Sequence, residues 1–89
     1  MGLFGKSESD EARVIRLVRE VVPWQLGKKE IRGDSKLRAD LGVDSLGKVA
    51  LAARLEEEFG IQFASFRGDV AAIRTVADVV AAVRELGGR

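Results

Sequence analysis

Residues 37–63 read LRADLGVDSLGKVALAARLEEEFGIQF and decide the fold class of the chain. A loop with apolar anchors gives way at Ser45 to an amphipathic pattern with helical spacing. This helix is expected to run from Ser45 to about Phe59 and to end at Gly60, because glycine is a common helix-terminating residue.

The tripeptide Asp44-Ser45-Leu46 lies where the loop meets this helix. A hydroxyl at that place is exposed at the positive end of the helix macrodipole, where unpaired backbone N–H groups would stabilise an attached phosphate. The pattern also has an ordinary interpretation, with Asp44 as an N-cap and Ser45 as a first-turn residue. We predict from the flanking sequence that the chain carries a group on Ser45.

The apolar side chains of the helix fall into two arcs when the chain is wound at about 100° per residue. The arc with the bulkier side chains, called the inner arc here, contains Leu51, Leu55 and Phe59, with Ala52 nearby. The opposite arc, called the outer arc, contains Leu46, Val49, Ala50 and Ala53. The inner arc is predicted to face the core. The outer arc begins beside Ser45 and is predicted to contact partner proteins.

Two further helices and one shorter helical piece are expected. The first helix runs from about Asp10 to Val22, with Ser9 or Asp10 as its cap and Pro23 as its stop. Its apolar positions repeat at helical spacing and are Val14, Leu17, Val18 and Val21. A shorter helical piece is predicted between Phe66 and Ile73.

The last helix opens at the sequence TVAD, residues 75–78, which is typical of a capping box. One side of this helix is predicted to be apolar and consists of Val76, Val79, Val80, Val83 and Leu86. The chain shows neither strand alternation nor an internal repeat. The predicted fold is therefore an all-α bundle of three main helices plus one short helix, with a long loop between the first and second helices.

The long loop needs anchors in so small a domain. Six apolar side chains are predicted to point inward, namely Trp24, Leu26, Ile31, Leu37, Leu41 and Val43. Residues 35–41 are predicted to form a helical turn. The domain is expected to span residues 9–86, between a flexible N-terminal tail at residues 1–8 and a C-terminal tail at residues 87–89.

Composition removes several classes of function. The 89 residues include no cysteine and no histidine, so Cys/His zinc sites, disulfides and Ser-His-Asp triads are unavailable, and we predict neither a metal site nor catalytic residues. No apolar run approaches the roughly 20 residues that cross a bilayer. We therefore expect a cytoplasmic, monomeric protein without membrane insertion.

The full pattern resembles the acyl carrier protein family from about residue 9 to residue 86. The matching elements are Leu41-Gly42, Asp44-Ser45-Leu46, Leu51, Leu55 and the run Glu56-Glu57-Glu58-Phe59, in the order helix, long loop, helix, short helix, helix. The resemblance implies that Ser45 is esterified with 4′-phosphopantetheine from coenzyme A and that the terminal thiol of this arm holds acyl groups as thioesters. It also implies a fold that encloses the acyl chain.

The resemblance implies two kinds of partner, a phosphopantetheinyl transferase and the enzymes that load and process acyl groups. Asp44 and Leu46 match the residues through which the transferase recognises its carrier, and Asp44 would help to position the metal ion of the transferase. The expected partner contacts are Leu46, Gly47, Val49, Ala50, Ala53, Arg54 and Glu57.

Several residues depart from the family pattern. Gly47 and Ala50 occupy positions where carriers of fatty-acid synthesis commonly have acids, and Lys48 and Arg54 add positive charge. Steering toward a basic partner patch should therefore be weaker than usual. We expect a specialised carrier for a lipid, polyketide or related pathway.

Two alternatives remain open at this point. One is an unmodified helical interaction module with the same fold. The other is a small nucleic-acid-binding domain that uses the cations between residues 28 and 38, although acidic residues interrupt that patch and the net charge is only +1. An enzyme is not expected, because no nucleophile has a histidine base within the chain.

Overall fold

A computed structural model describes residues 8–87 of the chain. This part contains three α-helices, α1 (Asp10–Val21), α2 (Ser45–Phe59) and α3 (Val76–Leu86), and no strand. The prediction of an all-α fold with a long loop between the first two helices is confirmed. The predicted N-terminal tail apart from Glu8, and the last two residues of the C-terminal tail, lie outside the described residues.

Helix α1 forms as its sequence predicts. The side chain of Ser9 caps it by accepting a hydrogen bond from the Ala12 N–H at 3.1 Å. The apolar stripe of α1 turns inward, because Val14, Leu17 and Val18 are completely buried. These three side chains form one wall of the core, against which α2 and α3 pack.

Helix α3 begins with the predicted capping box. Thr75 accepts from the Asp78 N–H at 3.1 Å, and the Asp78 carboxylate accepts from the Thr75 N–H at 3.1 Å. One face of α3 is buried, and its buried side chains are Val76, Val79, Val80, Ala82 and Val83. Leu86, at the end of the predicted stripe, is half-buried.

The helical piece predicted between residues 66 and 73 is present as one 3₁₀ turn, Val70–Ala72. Another 3₁₀ turn, Phe63–Ser65, lies just before this segment. A Cβ atom at Gly68 would lie 2.8 Å from Cζ of Phe66, so that ring would have to shift if this residue had a side chain. Glycine has a weak helix propensity, which agrees with a helical turn that begins only after Gly68.

The long loop is anchored by five of its six predicted side chains. Ile31, Leu37, Leu41 and Val43 are buried, and Leu26 is half-buried. The helical turn predicted at residues 35–41 is confirmed by hydrogen bonds from the Asp40 N–H to the Lys36 carbonyl at 2.9 Å and from the Gly42 N–H to the Arg38 carbonyl at 3.1 Å. The loop is therefore held against the core along its second half.

The prediction that Trp24 points inward is wrong, because this side chain is 86% exposed. Pro23 and Leu26 pack against Gly42 instead, since a Cβ atom at Gly42 would meet Leu26 Cδ1 at 3.1 Å and Pro23 Cγ at 3.4 Å. Gly42 has a φ of 69°, a conformation that favours glycine.

Within residues 8–87, every helix is too short or too polar to cross a membrane.

Candidate functional site

Ser45 is the first residue of α2, and its side chain is exposed. Asp44 caps the helix, because its Oδ1 atom accepts from the Gly47 N–H at 2.8 Å while its carbonyl accepts from the Lys48 N–H at 2.8 Å. Among residues 8–87, the N–H groups of Ser45 and Leu46 have no acceptor. These two donors are therefore available to an anion beside the Ser45 hydroxyl.

A groove with a volume of about 560 Å³ borders Ser45. It lies between the helical turn at residues 36–39, the beginning of α2 and the segment at residues 71–75. Its charged lining residues are Lys36, Arg38, Lys48 and Arg74, together with Asp44 and Asp78. The groove is thus predominantly cationic at its walls.

Both carboxylates of the groove already accept hydrogen bonds from the backbone. Asp44 accepts a hydrogen bond from the Gly47 N–H. Asp78 accepts from the N–H groups of Arg74 at 3.0 Å and Thr75 at 3.1 Å. The bonds from Arg74 and Thr75 hold the pKa of the Asp78 carboxyl below its usual range, so this group stays ionised. Both acids are thus part of helix N-terminal caps, and the cationic residues that line the groove within residues 8–87 outnumber them by four to two.

Lys48 lines both this groove and a second, apolar pocket of about 150 Å³, as do Leu37 and Ile73. Its ammonium donates to the carbonyl of Ile73 at 2.9 Å and approaches the carbonyl of Val70 at 3.5 Å. The other residues that line the apolar pocket are Leu37, Val49, Leu51, Ala52, Leu55, Phe63, Val70, Ile73 and Val79. The sequence indicated only that Lys48 adds positive charge, and its place in the lining of two cavities was not predicted.

The outer arc of α2 faces solvent. Leu46 is 78% exposed and Val49 is 66% exposed, and Ala50 and Ala53 are exposed as well. The predicted division of α2 into two arcs is therefore confirmed. Together with Ser45 and Asp44, the outer arc forms one accessible surface.

Gly47 and Arg54, two further predicted contact residues, lie in different settings. Gly47 is half-buried, and a Cβ atom there would meet Val43 Cγ1 at 3.0 Å. Arg54 pairs with Glu20 of α1 at 3.2 Å and lies 3.9 Å from Glu57. Gly47 therefore contributes backbone at the edge of the outer arc, whereas Arg54 reaches across to α1.

The run of three glutamates divides into separate roles. Glu56 accepts from the Phe63 N–H at 2.9 Å, and Glu58 pairs with Arg13 and with Arg16, each at 3.2 Å. The hydrogen bonds from Arg13 and then Arg16 lower the pKa of the Glu58 carboxyl. Glu57, whose side chain is 79% exposed, is the member of the run that a partner reaches most easily.

Comparisons with known proteins agree with this geometry. The family described as "Phosphopantetheine attachment site" matches residues 12–83. An acyl carrier protein from Rickettsia bellii strain RML369-C is 35% identical over 85 residues, which cover 93% of this chain and 92% of the relative. An acyl carrier protein from strain OSU 85-389 is 35% identical over 82 residues, which cover 90% of this chain and 94% of the relative.

The matches cover nearly the whole folded part, so the chain belongs to the acyl carrier proteins, a family built around a phosphopantetheine attachment site. Its cofactor is 4′-phosphopantetheine. The protein is a carrier and not an enzyme. Membership in the family implies that it interacts with a transferase and with acyl-processing enzymes.

Proposed function

We propose that Ser45 is the residue to which 4′-phosphopantetheine is attached, and that the chain carries acyl intermediates as thioesters on the thiol which this group supplies. The observation that carries the proposal is the setting of the Ser45 hydroxyl. It is exposed at the first position of α2, beside a cationic groove and two N–H groups that have no acceptor within residues 8–87. These residues suit a phosphodiester, which bears a negative charge.

The attachment reaction has a simple balance. The Ser45 oxygen forms a bond to the phosphorus that bears the pantetheine of coenzyme A, and the bond from that phosphorus to the bridging pyrophosphate oxygen breaks. The hydroxyl proton is lost to a base, and 3′,5′-ADP leaves. The carrier supplies the nucleophile, and the transferase supplies the base and the metal ion.

We assign Asp44 and Leu46 to recognition by the transferase. The Oδ1 atom of Asp44 holds the Gly47 N–H, which fixes the carboxylate beside Ser45 in a position to present its other oxygen to a metal ion in the transferase site. Leu46 follows Ser45 and is among the most exposed large apolar side chains of residues 8–87. It supplies an apolar anchor of the kind that dominates protein interfaces.

The apolar pocket is the proposed place for the end of an acyl chain. Its volume of about 150 Å³ resembles that of an engineered protein cavity that holds a benzene-sized apolar molecule. Among residues 8–87, Lys48 is the one charged residue that lines it, and the 3₁₀ turn Val70–Ala72 contributes to the wall through Val70. We infer that the pocket receives a short or medium apolar tail.

The experiment for the attachment site is intact mass spectrometry after incubation with coenzyme A and a broad-specificity phosphopantetheinyl transferase. The wild type should gain the mass of one phosphopantetheine group, whereas Ser45→Ala should gain none. Ser65→Ala, which removes another exposed serine, is the matched control and should be modified like the wild type. No adduct on the wild type would favour the unmodified interaction module instead.

We also propose that the carrier serves a specialised lipid, polyketide or related pathway. Gly47 and Ala50 leave the outer arc without acids, and Lys48 and Arg54 place cations next to it. A basic partner patch gains little from such a surface. Loading and elongation by a generic fatty-acid synthase set should be slow, and turnover equal to that of a fatty-acid carrier would contradict this proposal.

Cytoplasmic location and a monomeric state remain predictions.

A further inference from the structure

We propose that the groove beside Ser45 is an anion site that binds the phosphodiester of the attached arm through Lys36, Arg38 and Arg74. The arm then lies along the groove instead of moving freely in solvent. This inference rests on the attachment at Ser45 proposed above and adds a binding role for three residues outside α2.

The distribution of paired and unpaired cations supports an anion site. Most cationic side chains of residues 8–87 have a partner there, for example Arg13 with Glu58 and Arg84 with Asp10. Six make no ion pair or side-chain hydrogen bond within that range, namely Lys28, Lys29, Lys36, Arg38, Arg67 and Arg74. Three of these six line the groove next to Ser45.

The lining as a whole carries an excess of positive charge. Four cationic and two acidic residues line the groove, which gives a formal balance of +2. The acids, Asp44 and Asp78, are occupied by backbone N–H donors. Among residues 8–87, the two carboxylates offset two of the four cations, so an anion in the groove meets a formal excess of two positive charges.

The backbone holds Lys36 and Arg74 on adjacent segments before any ligand arrives. The Leu37 N–H donates to the Arg74 carbonyl at 2.8 Å, and the Val76 N–H donates to the Ser35 carbonyl at 3.1 Å. These bonds surround the antiparallel bridge between Lys36 and Thr75. Because the two segments are already joined, little ordering of the backbone is needed when an anion binds.

The chemistry of the lining suits a phosphodiester at Ser45. Arginine forms paired hydrogen bonds to phosphate oxygens, and lysine adds a mobile point charge. The N–H groups of Ser45 and Leu46 add two donors at the helix end. Lys48 borders both the groove and the apolar pocket, so an arm held in the groove is directed toward the mouth of that pocket.

The test uses the loaded full-length protein, with loading first confirmed by intact mass. The ³¹P resonance of the phosphodiester and the amide resonances of residues 36–39 and 71–74 are then recorded at low and high ionic strength. In the loaded wild type at low salt we expect a broad ³¹P line and amide shifts relative to the unloaded protein. Both should fade at high salt, because ions screen the contacts.

The variant K36Q/R38Q/R74Q should load but show a narrow ³¹P line and no such amide shifts at low salt. The variant K28Q/K29Q/R67Q removes the same charge outside the groove and should behave like the wild type. A helical circular dichroism spectrum shows that both variants are folded. A loaded wild type with a narrow, salt-independent ³¹P line would overturn this inference alone, whereas absence of any adduct would overturn the attachment at Ser45 as well.

Discussion

The two arcs of α2 place similar side chains in opposite settings. Leu55 on the inner arc is 2% exposed, and Leu46 on the outer arc is 78% exposed. Both are leucines in one helix, so hydrophobicity alone does not explain their different positions. This difference in exposure indicates that the inner arc holds the bundle together, while the outer arc is available to a partner protein.

Packing explains why the arcs differ. The inner arc lies in the same core cluster as Leu17 of α1 and Val79 of α3. The four side chains of the outer arc are exposed, and one of them, Val49, also borders the apolar pocket. Changes on the inner arc should therefore alter the free energy of unfolding, and changes on the outer arc should alter recognition.

The largest expected effect separates the two leucines. Leu55→Ala removes a buried side chain and should lower the free energy of unfolding by about 2–5 kcal/mol. Leu46→Ala removes the same atoms from a side chain that is already exposed to solvent. It should change the free energy of unfolding by less than about 0.5 kcal/mol. Urea unfolding followed by circular dichroism measures both. Equal losses in the two variants would break the distinction between the arcs.

The next effect concerns recognition. Leu46→Ala should lower kcat/KM for modification by the transferase about tenfold, which corresponds to about 1.4 kcal/mol of lost contact energy. Trp24→Ala, which truncates another exposed apolar side chain outside the outer arc, is the control and should leave the rate nearly unchanged. A kcat/KM for Leu46→Ala equal to that of the wild type would show that the transferase does not contact the outer arc through Leu46.

A smaller effect is expected at the capping box of α3, whose Val79 packs on the same pocket as the inner arc. Asp78→Asn should cost about 1 kcal/mol at neutral pH, the typical value of a helix cap. The folded pKa of Asp78 is lowered by hydrogen bonds from Arg74 and Thr75. Its stabilisation is therefore complete above the ordinary aspartate pKa of about 3.9 and is lost as the pH falls through the lowered value.

Unfolding measured between neutral and acidic pH tests this assignment. The difference in stability between the wild type and Asp78→Asn should shrink in acid. Asp34→Asn, on an exposed turn, is the matched control and should change stability little at any pH. If the difference in stability between the wild type and Asp78→Asn stayed constant down to the lowest pH, the negative charge of Asp78 would not be the source of the stabilisation.

The smallest effect is expected at the edge of the outer arc. Arg54 and Glu20 form an exposed ion pair with an N–O distance of 3.2 Å, and such pairs contribute between zero and about 1 kcal/mol. Arg54→Gln should therefore lower the free energy of unfolding by at most that amount, and less at high salt. A loss of stability comparable to that of Leu55→Ala would mean that the ion pair of Arg54 contributes to stability as much as a buried core side chain does.

Much of the fold could be predicted because local signals agree with tertiary packing. Helix α2 has the expected bounds, since Asp44 caps its beginning and Gly60, with a φ of 66°, ends it. Helix α3 likewise begins at its capping box. These elements are determined by residues within one turn of each end, which a sequence displays directly.

The remaining features depend on contacts between distant residues. Trp24 was expected inward because it is apolar, but Pro23 and Leu26 fill the space beside Gly42. Lys48 reaches the Ile73 carbonyl, 25 residues away in sequence. The cationic groove combines residues 36–38 with residue 74, and no local pattern reveals that these segments are joined.

The most direct test of the central claim is to locate the modification. The chain contains five serines, at positions 7, 9, 35, 45 and 65. After treatment with coenzyme A and a transferase, protease digestion and fragment-ion mass spectrometry should find one phosphopantetheine group, attached to Ser45. A group attached to any other residue, or an unmodified Ser45 peptide under conditions that load another acyl carrier protein, would contradict the account.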